Sequence, residues 1–133
     1  MSASRMSQKD RRLEIETPLG PDALLLTGFS GTEEMSRLFH YRLDMLSEKD
    51  SIAPKDIVGK NVTFWIRHPD GTPRHFNGHI SKFACSGKND RLSIYTAEVV
   101  PWLWFLTQTK DCRIFQTKSV PEIIEQVFKE MGF

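Results

Sequence analysis

The chain has 133 residues, 39% of them hydrophobic and 26% charged, with 18 Lys plus Arg against 17 Asp plus Glu for a net charge of +1. That length suits one domain, or one domain and the opening of a second, and is too short for an eight-stranded β/α barrel. The hydrophobic content excludes a disordered chain, and the near-neutral charge leaves no cationic excess for releasing counterions from a nucleic-acid backbone.

Residues 1–12, MSASRMSQKDRR, carry four basic residues and almost nothing apolar, which predicts a flexible arm. LEIE from Leu13 predicts a short strand, and TPLGPD, with two Pro and one Gly, predicts a turn. Residues 23–31, ALLLTGFSG, form an apolar run of buried-strand length. Over 36–46, Phe39, Tyr41, Leu43 and Met45 alternate with His40, Arg42 and Asp44, the pattern of a half-buried strand. A polar connection follows, in which PKDIVG predicts one helical turn stopped by Gly59.

Three further segments predict an antiparallel meander. Val62, Phe64 and Ile66 alternate with Thr63, Trp65 and Arg67, and Asp70-Gly71 is a hairpin signal. Phe76, Gly78 and Ile80 alternate with His75, Asn77 and His79 on the return strand. CSGKNDR then predicts a turn before Leu92, Ile94 and Thr96. In PWLWFL, alternation puts Trp102 and Trp104 on one side and Leu103 and Phe105 on the other. A strand so patterned is covered on both faces or awaits a partner, which makes oligomerisation a candidate.

The last segment changes period. Ser119 and Glu122 are spaced as a capping box, Pro121 lies in the first turn and Gly132 suits a stop, predicting a helix over 119–131. Val120, Ile123, Ile124, Val127, Phe128 and Met131 share one face, so the stripe must cover something. On that reading Ile124→Asp buries a charge at a cost of about 3 kcal/mol. The stop signal falls at the chain's last residues, which predicts a piece of a longer protein. The fold class is mainly β (α+β): an antiparallel barrel over 13–109 and the start of a neighbouring subdomain from 110.

No catalytic constellation emerges. His75 and His79 are four apart, but in a strand that spacing is about 13 Å, so they cannot share a metal, and His40 and His68 stand alone. Cys85 and Cys112 have no CxxC partner and are expected to be free thiols. GFSGT lacks the closing glycine of a nucleophile elbow, Gly59-Lys60 lacks the rest of a phosphate loop, and the carboxylates are scattered. No cofactor or metal is expected. The candidate interface or core residues are Trp102, Trp104, Phe105, Ile124 and Phe128. The polar start, without an apolar leader, predicts a chain made in the cytosol, and the longest apolar run, 99–106, is far below the ~20 residues of a membrane span.

Together these segments resemble the N-terminal region of the VgrG (Rhs-element Vgr) family of type VI secretion spike proteins. The matching stretches are TPLGPDALLLTGFSGTEEMSRLFHYRLDMLSE from Thr17, VGKNVTFWIR from Val58, RHFNGHI from Arg74 and PWLWFLTQTKDCRIFQTKSVPEIIEQV from Pro101. PWLW, RIFQ and SVPEII in that order are the most specific. The resemblance implies a barrel of the phage-baseplate-hub type, a trimer stacked on the Hcp tube, and a PAAR-type tip and effectors engaged through parts absent from this chain. It implies assembly in the bacterial cytoplasm and export by type VI secretion without a cleaved signal peptide. It also implies no catalytic residue in this region, and it gives no role to His75, His79 or Cys112, where the family places other residue types. The alternative is a small β-barrel that binds peptide or oligosaccharide; an enzyme would need an effector domain elsewhere in a longer protein.

Overall fold

A computed structural model describes residues 6–132; residues 1–5 of the expected arm and Phe133 lie outside the described residues. The chain divides into two compact units, Met1–Pro101 and Trp102–Phe133.

The first unit is one curled antiparallel sheet of six strands. They are β1 (Leu13–Glu16), β2 (Leu25–Thr32), β3 (His40–Ser47), β4 (Asn61–Arg67), β5 (Pro73–Asn89) and β6 (Leu92–Val100), in the spatial order β1-β4-β5-β6-β3-β2. The end strands β1 and β2 contact each other, so the sheet wraps around its own apolar face in the manner of a barrel. A single 3₁₀ turn, Pro54–Asp56, stands where PKDIVG predicts one, and Gly59 follows at φ +79°, a conformation that suits glycine.

Period-2 burial is cleanest in β3, where Tyr41, Leu43, Met45 and Ser47 are buried. In β4, Val62 and Phe64 point inward. Phe64 sits among the rings of Phe29, Phe76 and Tyr41, at centroid distances of 5.0, 5.2 and 5.5 Å. These four side chains come from β2, β4, β5 and β3, so one aromatic cluster ties together strands distant in sequence. Tyr41 also donates its hydroxyl proton to Glu33. Burial, and then the neighbouring Glu33 carboxylate, push the Tyr41 hydroxyl pKa upward. Holding the neutral phenol stabilises the fold below the ordinary tyrosine range, and that contribution is lost as pH rises above it.

The meander differs from its sequence pattern beyond Ile80. A bulge between Ile80 and Lys82 inserts Ser81, which moves the inward positions of β5 from even numbers (Phe76, Gly78, Ile80) to odd. Phe83 then packs on the core and stacks on Tyr95 at 5.1 Å. A second irregularity between Cys85 and Gly87 carries β5 on to Asn89, so most of CSGKNDR is strand and the turn tightens at Asp90, φ +48°. In β6 the buried set is Ser93, Tyr95, Ala97 and Val99, whereas Leu92, Ile94 and Thr96 are partly exposed.

Residues 6–12 are held by hydrogen bonds that the composition conceals. The Gln8 side-chain amide donates to the Ile15 carbonyl at 2.6 Å and its oxygen accepts from the Ile15 N–H at 2.9 Å, so a buried amide stands in for a ladder partner at the outer edge of β1. Arg67 N–H donates to the Arg12 carbonyl at 2.8 Å. Flexibility inferred from polarity therefore does not describe these residues.

Residues 102–106 are not a strand. Pro101 has no N–H to continue the β6 ladder, and Trp102–Gln108 is a 3₁₀ helix, in which side chains three apart, not two apart, share a face. The helix expected over 119–131 is α1, Val120–Glu130, with Ser119 as its N-cap. The Glu122 carboxylate accepts from both the Ser119 N–H and hydroxyl at 2.7 Å.

Gly78 lies where a side chain cannot. An added Cβ would stand 2.6 Å from Val99 Cγ1 and 2.8 Å from the Val100 carbonyl oxygen. Gly78→Ala is expected to destabilise the sheet by about 1–3 kcal/mol, read as a lower urea midpoint at unchanged slope. A midpoint equal to that of the parent would show that β5 and β6 are free to separate there.

Candidate assembly surface

The second unit is built from the 3₁₀ helix, an irregular stretch and α1, and none of its described residues is fully buried. Trp102 packs edge-on against Phe128 at 4.7 Å, and Trp104 packs edge-on against Phe105 at 5.3 Å; all four are half-buried. Four of the sequence-derived candidates thus form two ring pairs, and the fifth, Ile124, is 45% exposed. A charge at position 124 would remain hydrated, so the large penalty expected from burial does not apply.

Around these pairs the unit displays apolar surface. Ile114 is 89% and Val120 68% exposed, and Leu103 and Met131 are also exposed. Leu106, Phe115, Val127 and Met131 line a cavity of about 390 Å³ whose polar wall includes Asp111, Arg113 and Glu130. Arg113 pairs with both carboxylates, which raises its own pKa. Hydrogen bonding to Arg113 holds Asp111 below the usual carboxylate range, and hydrogen bonds from Gln126 and Arg113 do the same for Glu130. Exposed apolar side chains together with already paired charges are the composition of a protein contact.

The first unit adds a smaller exposed apolar feature. Met35, at 97% exposure, and Leu38 project from the connection between β2 and β3, a segment whose polar neighbours hide it from pattern analysis. Its base is held by the Tyr41–Glu33 hydrogen bond, and the Arg74 guanidinium lies 3.8 Å from the other Glu33 oxygen. Ile114 was equally hidden, since nothing in RIFQ distinguishes a packed isoleucine from a displayed one.

The titratable groups on the sheet's outer face are arranged for surface pairing. Glu98, opposite Arg42 on β3 and Lys82 on β5, accepts from Lys82 at 3.1 Å and His40 at 3.2 Å, and these hydrogen bonds lower its pKa. His75 lies 5.4 Å from Trp65, and burial lowers the pKa of His79. Cys85 and Cys112 are free and exposed, and no group of three or more His, Cys, Asp or Glu among the described residues is placed to hold a metal. No helix of the described residues is long and apolar enough to cross a membrane.

Two substitutions separate packed from displayed side chains in this unit. Phe128→Ala removes the ring that meets Trp102 and is expected to speed amide exchange along α1, with a loss of about 2 kcal/mol or more. Ile124→Asp is expected to change stability by no more than about 0.5 kcal/mol. Amide hydrogen exchange measured on both variants checks the contrast, and equal effects would contradict it.

Comparison with known proteins gives this surface its context. Residues 32–133 match the family described as phage tail baseplate hub (GPD). The type VI secretion system spike protein VgrG1a of Pseudomonas aeruginosa is 41% identical over 126 residues, 95% of this chain and 20% of the relative. VgrG1b of the same organism is 38% identical over 96% of this chain and 17% of its own length. The chain thus spans 20% or less of the length of these curated relatives. Among solved structures, the E. coli c3393 protein superposes with a TM-score of 0.67 at 24% identity, covering 89% of this chain and 31% of its own. That protein is described as a component of the type VI secretion system with structural similarity to the T4 bacteriophage tail proteins gp27 and gp5, and the likeness shows a common fold. The match over residues 32–133, which begins at the end of β2 and takes in β3 to α1, places this chain in the phage tail baseplate hub family.

Proposed function

We propose that the chain is part of the hub of a type VI secretion spike: a structural piece that assembles with copies of itself, stacks on an Hcp tube, and is carried out of the cell with the spike. The observation that supports this most is the 41% identity to a VgrG spike protein along 95% of the chain. The physical features are consistent with an assembly part. The second unit has exposed apolar side chains and no fully buried residue among those described, so its stability increases when another surface covers it. The net charge of +1 gives little self-repulsion between copies at neutral pH.

In this reading the barrel over 13–109 supplies the rigid element, and the subdomain from 110 opens a neighbouring part of the hub. Trp102, Trp104, Phe105, Ile124 and Phe128 contribute to its core or to contacts between parts. The role is mechanical and needs no catalytic residue. The trimer, the PAAR-type tip and the effectors belong to the longer protein, engaged through parts beyond this chain.

Light scattering across a wide concentration range, with and without purified Hcp hexamers, tests the reading. The expected outcome is a mass that rises with concentration and a co-migrating complex with Hcp. A strict monomer that ignores Hcp at the highest soluble concentration would overturn the assembly role for this chain.

A further inference from the structure

A cavity of about 310 Å³ lies beside β1, bounded by Gln8, Ile15, Glu16, Thr17, Gly20, Pro21 and Trp65. It belongs to the first unit and is independent of the surface described above. Its apolar lining is Pro21 and the half-buried Trp65 indole, while Ile15, whose side chain packs in the core, meets it at the backbone bonded by Gln8. On the β5 side the indole meets His75, its register partner.

Two polar groups at this cavity are unanswered. The Thr17 hydroxyl oxygen is buried and has no hydrogen-bond partner among the described residues, a costly arrangement unless something else satisfies it. Glu16 is exposed and has no ion-pair partner among the described residues. Its register partner is Thr63, so its side chain leaves the same outer face of the sheet as that of Trp65. One pleat back on that face, Glu14 carries a guanidinium, with Arg67 Nη2 2.8 Å from Glu14 Oε1. Glu14 and Glu16 thus occupy equivalent positions, one paired within the chain and the other not.

We infer that this cavity binds an arginine side chain presented by an extended segment of a partner protein. The guanidinium stacks on the Trp65 face and donates to the Glu16 carboxylate and to the Thr17 hydroxyl, and its aliphatic stem covers Pro21. An aromatic face, a free carboxylate and an acceptor hydroxyl around an apolar floor match a planar cation with several donors better than an anion or a neutral apolar group. Charge complementarity selects the occupant: a neutral group of the same shape can donate to Glu16 and Thr17 but leaves the carboxylate charge uncompensated.

The probe is the capped peptide acetyl-Ala-Arg-Ala-amide, with an otherwise identical citrulline peptide as its uncharged isostere. Binding is read from the Trp65 indole N–H resonance of the full chain, assigned by comparison with Trp65→Phe. The arginine peptide is expected to shift this resonance saturably in the millimolar range, and the citrulline peptide to bind about fivefold more weakly. Glu16→Gln, an exposed substitution, is expected to produce a similar loss for the arginine peptide without altering the melting temperature. Equal binding of the two peptides, an unchanged affinity in Glu16→Gln, or no saturable shift would each overturn the inference.

Discussion

The fold depends on the meeting of rings at Phe64. Phe29, Tyr41, Phe64 and Phe76 come from four strands, and β2 and β4 are not neighbours in the sheet. Ladder hydrogen bonds align each pair of strands but do not make a sheet curl. Contact across the concave face does, because rings on β2 and β4 reach each other only when the ends of the sheet approach. Gly78 is part of the same constraint: its missing Cβ leaves room for Val99 and for Phe39, whose Cε2 would stand 3.3 Å from that atom. Without that gap β5 could not lie so close to β6 at the point where the sheet bends.

Ser81 shows how one extra residue changes what a strand presents. Before the bulge the even positions of β5 face the core, and after it the odd ones do. The long hairpin can therefore bury Phe76 near one end of the barrel and Phe83 further along, while Lys82 faces outward to meet Glu98. The β4–β5 register, upstream of the bulge, sets His75 beside Trp65 on the outer face, and beyond the bulge the distal part of the hairpin, from Ala84 to Arg91, is exposed.

What was legible in the sequence follows from how local the cause is. The Ser119 cap and the apolar face of α1 depend on residues within one or two turns, and the structure has them where the spacing puts them. Alternation in β3 and β4 was equally plain, since each strand has one buried face. Two features were not legible because their causes lie in the pairing: the Ser81 bulge is set by β6, and the order of Gln8 by its side-chain amide bonding Ile15. The 3₁₀ helix has a local cause, Pro101, which the alternation of the residues after it concealed. Alternation in PWLWFL was real in the text but irrelevant, because the backbone there does not have a period of two. The family resemblance was legible for the opposite reason: it rests on the order of several stretches and needs no knowledge of their geometry.

The two candidate surfaces differ in kind, and the difference lies in how each handles its polar groups. In the second unit the charges are already answered, Arg113 by Asp111 and Glu130, and it is apolar surface that stands exposed. Covering it releases water over a broad area and demands shape more than chemistry, as contacts between the parts of a machine do. Beside β1 the apolar floor is small, and the unanswered groups are Glu16 and Thr17. A site of that kind discriminates by charge and donor geometry while adding little area, because a partner that leaves buried polar atoms unpaired is penalised at once. The two surfaces thus call for different partners: an apolar one rewards matching shape, and a charge-selective one rewards matching charge and donor geometry.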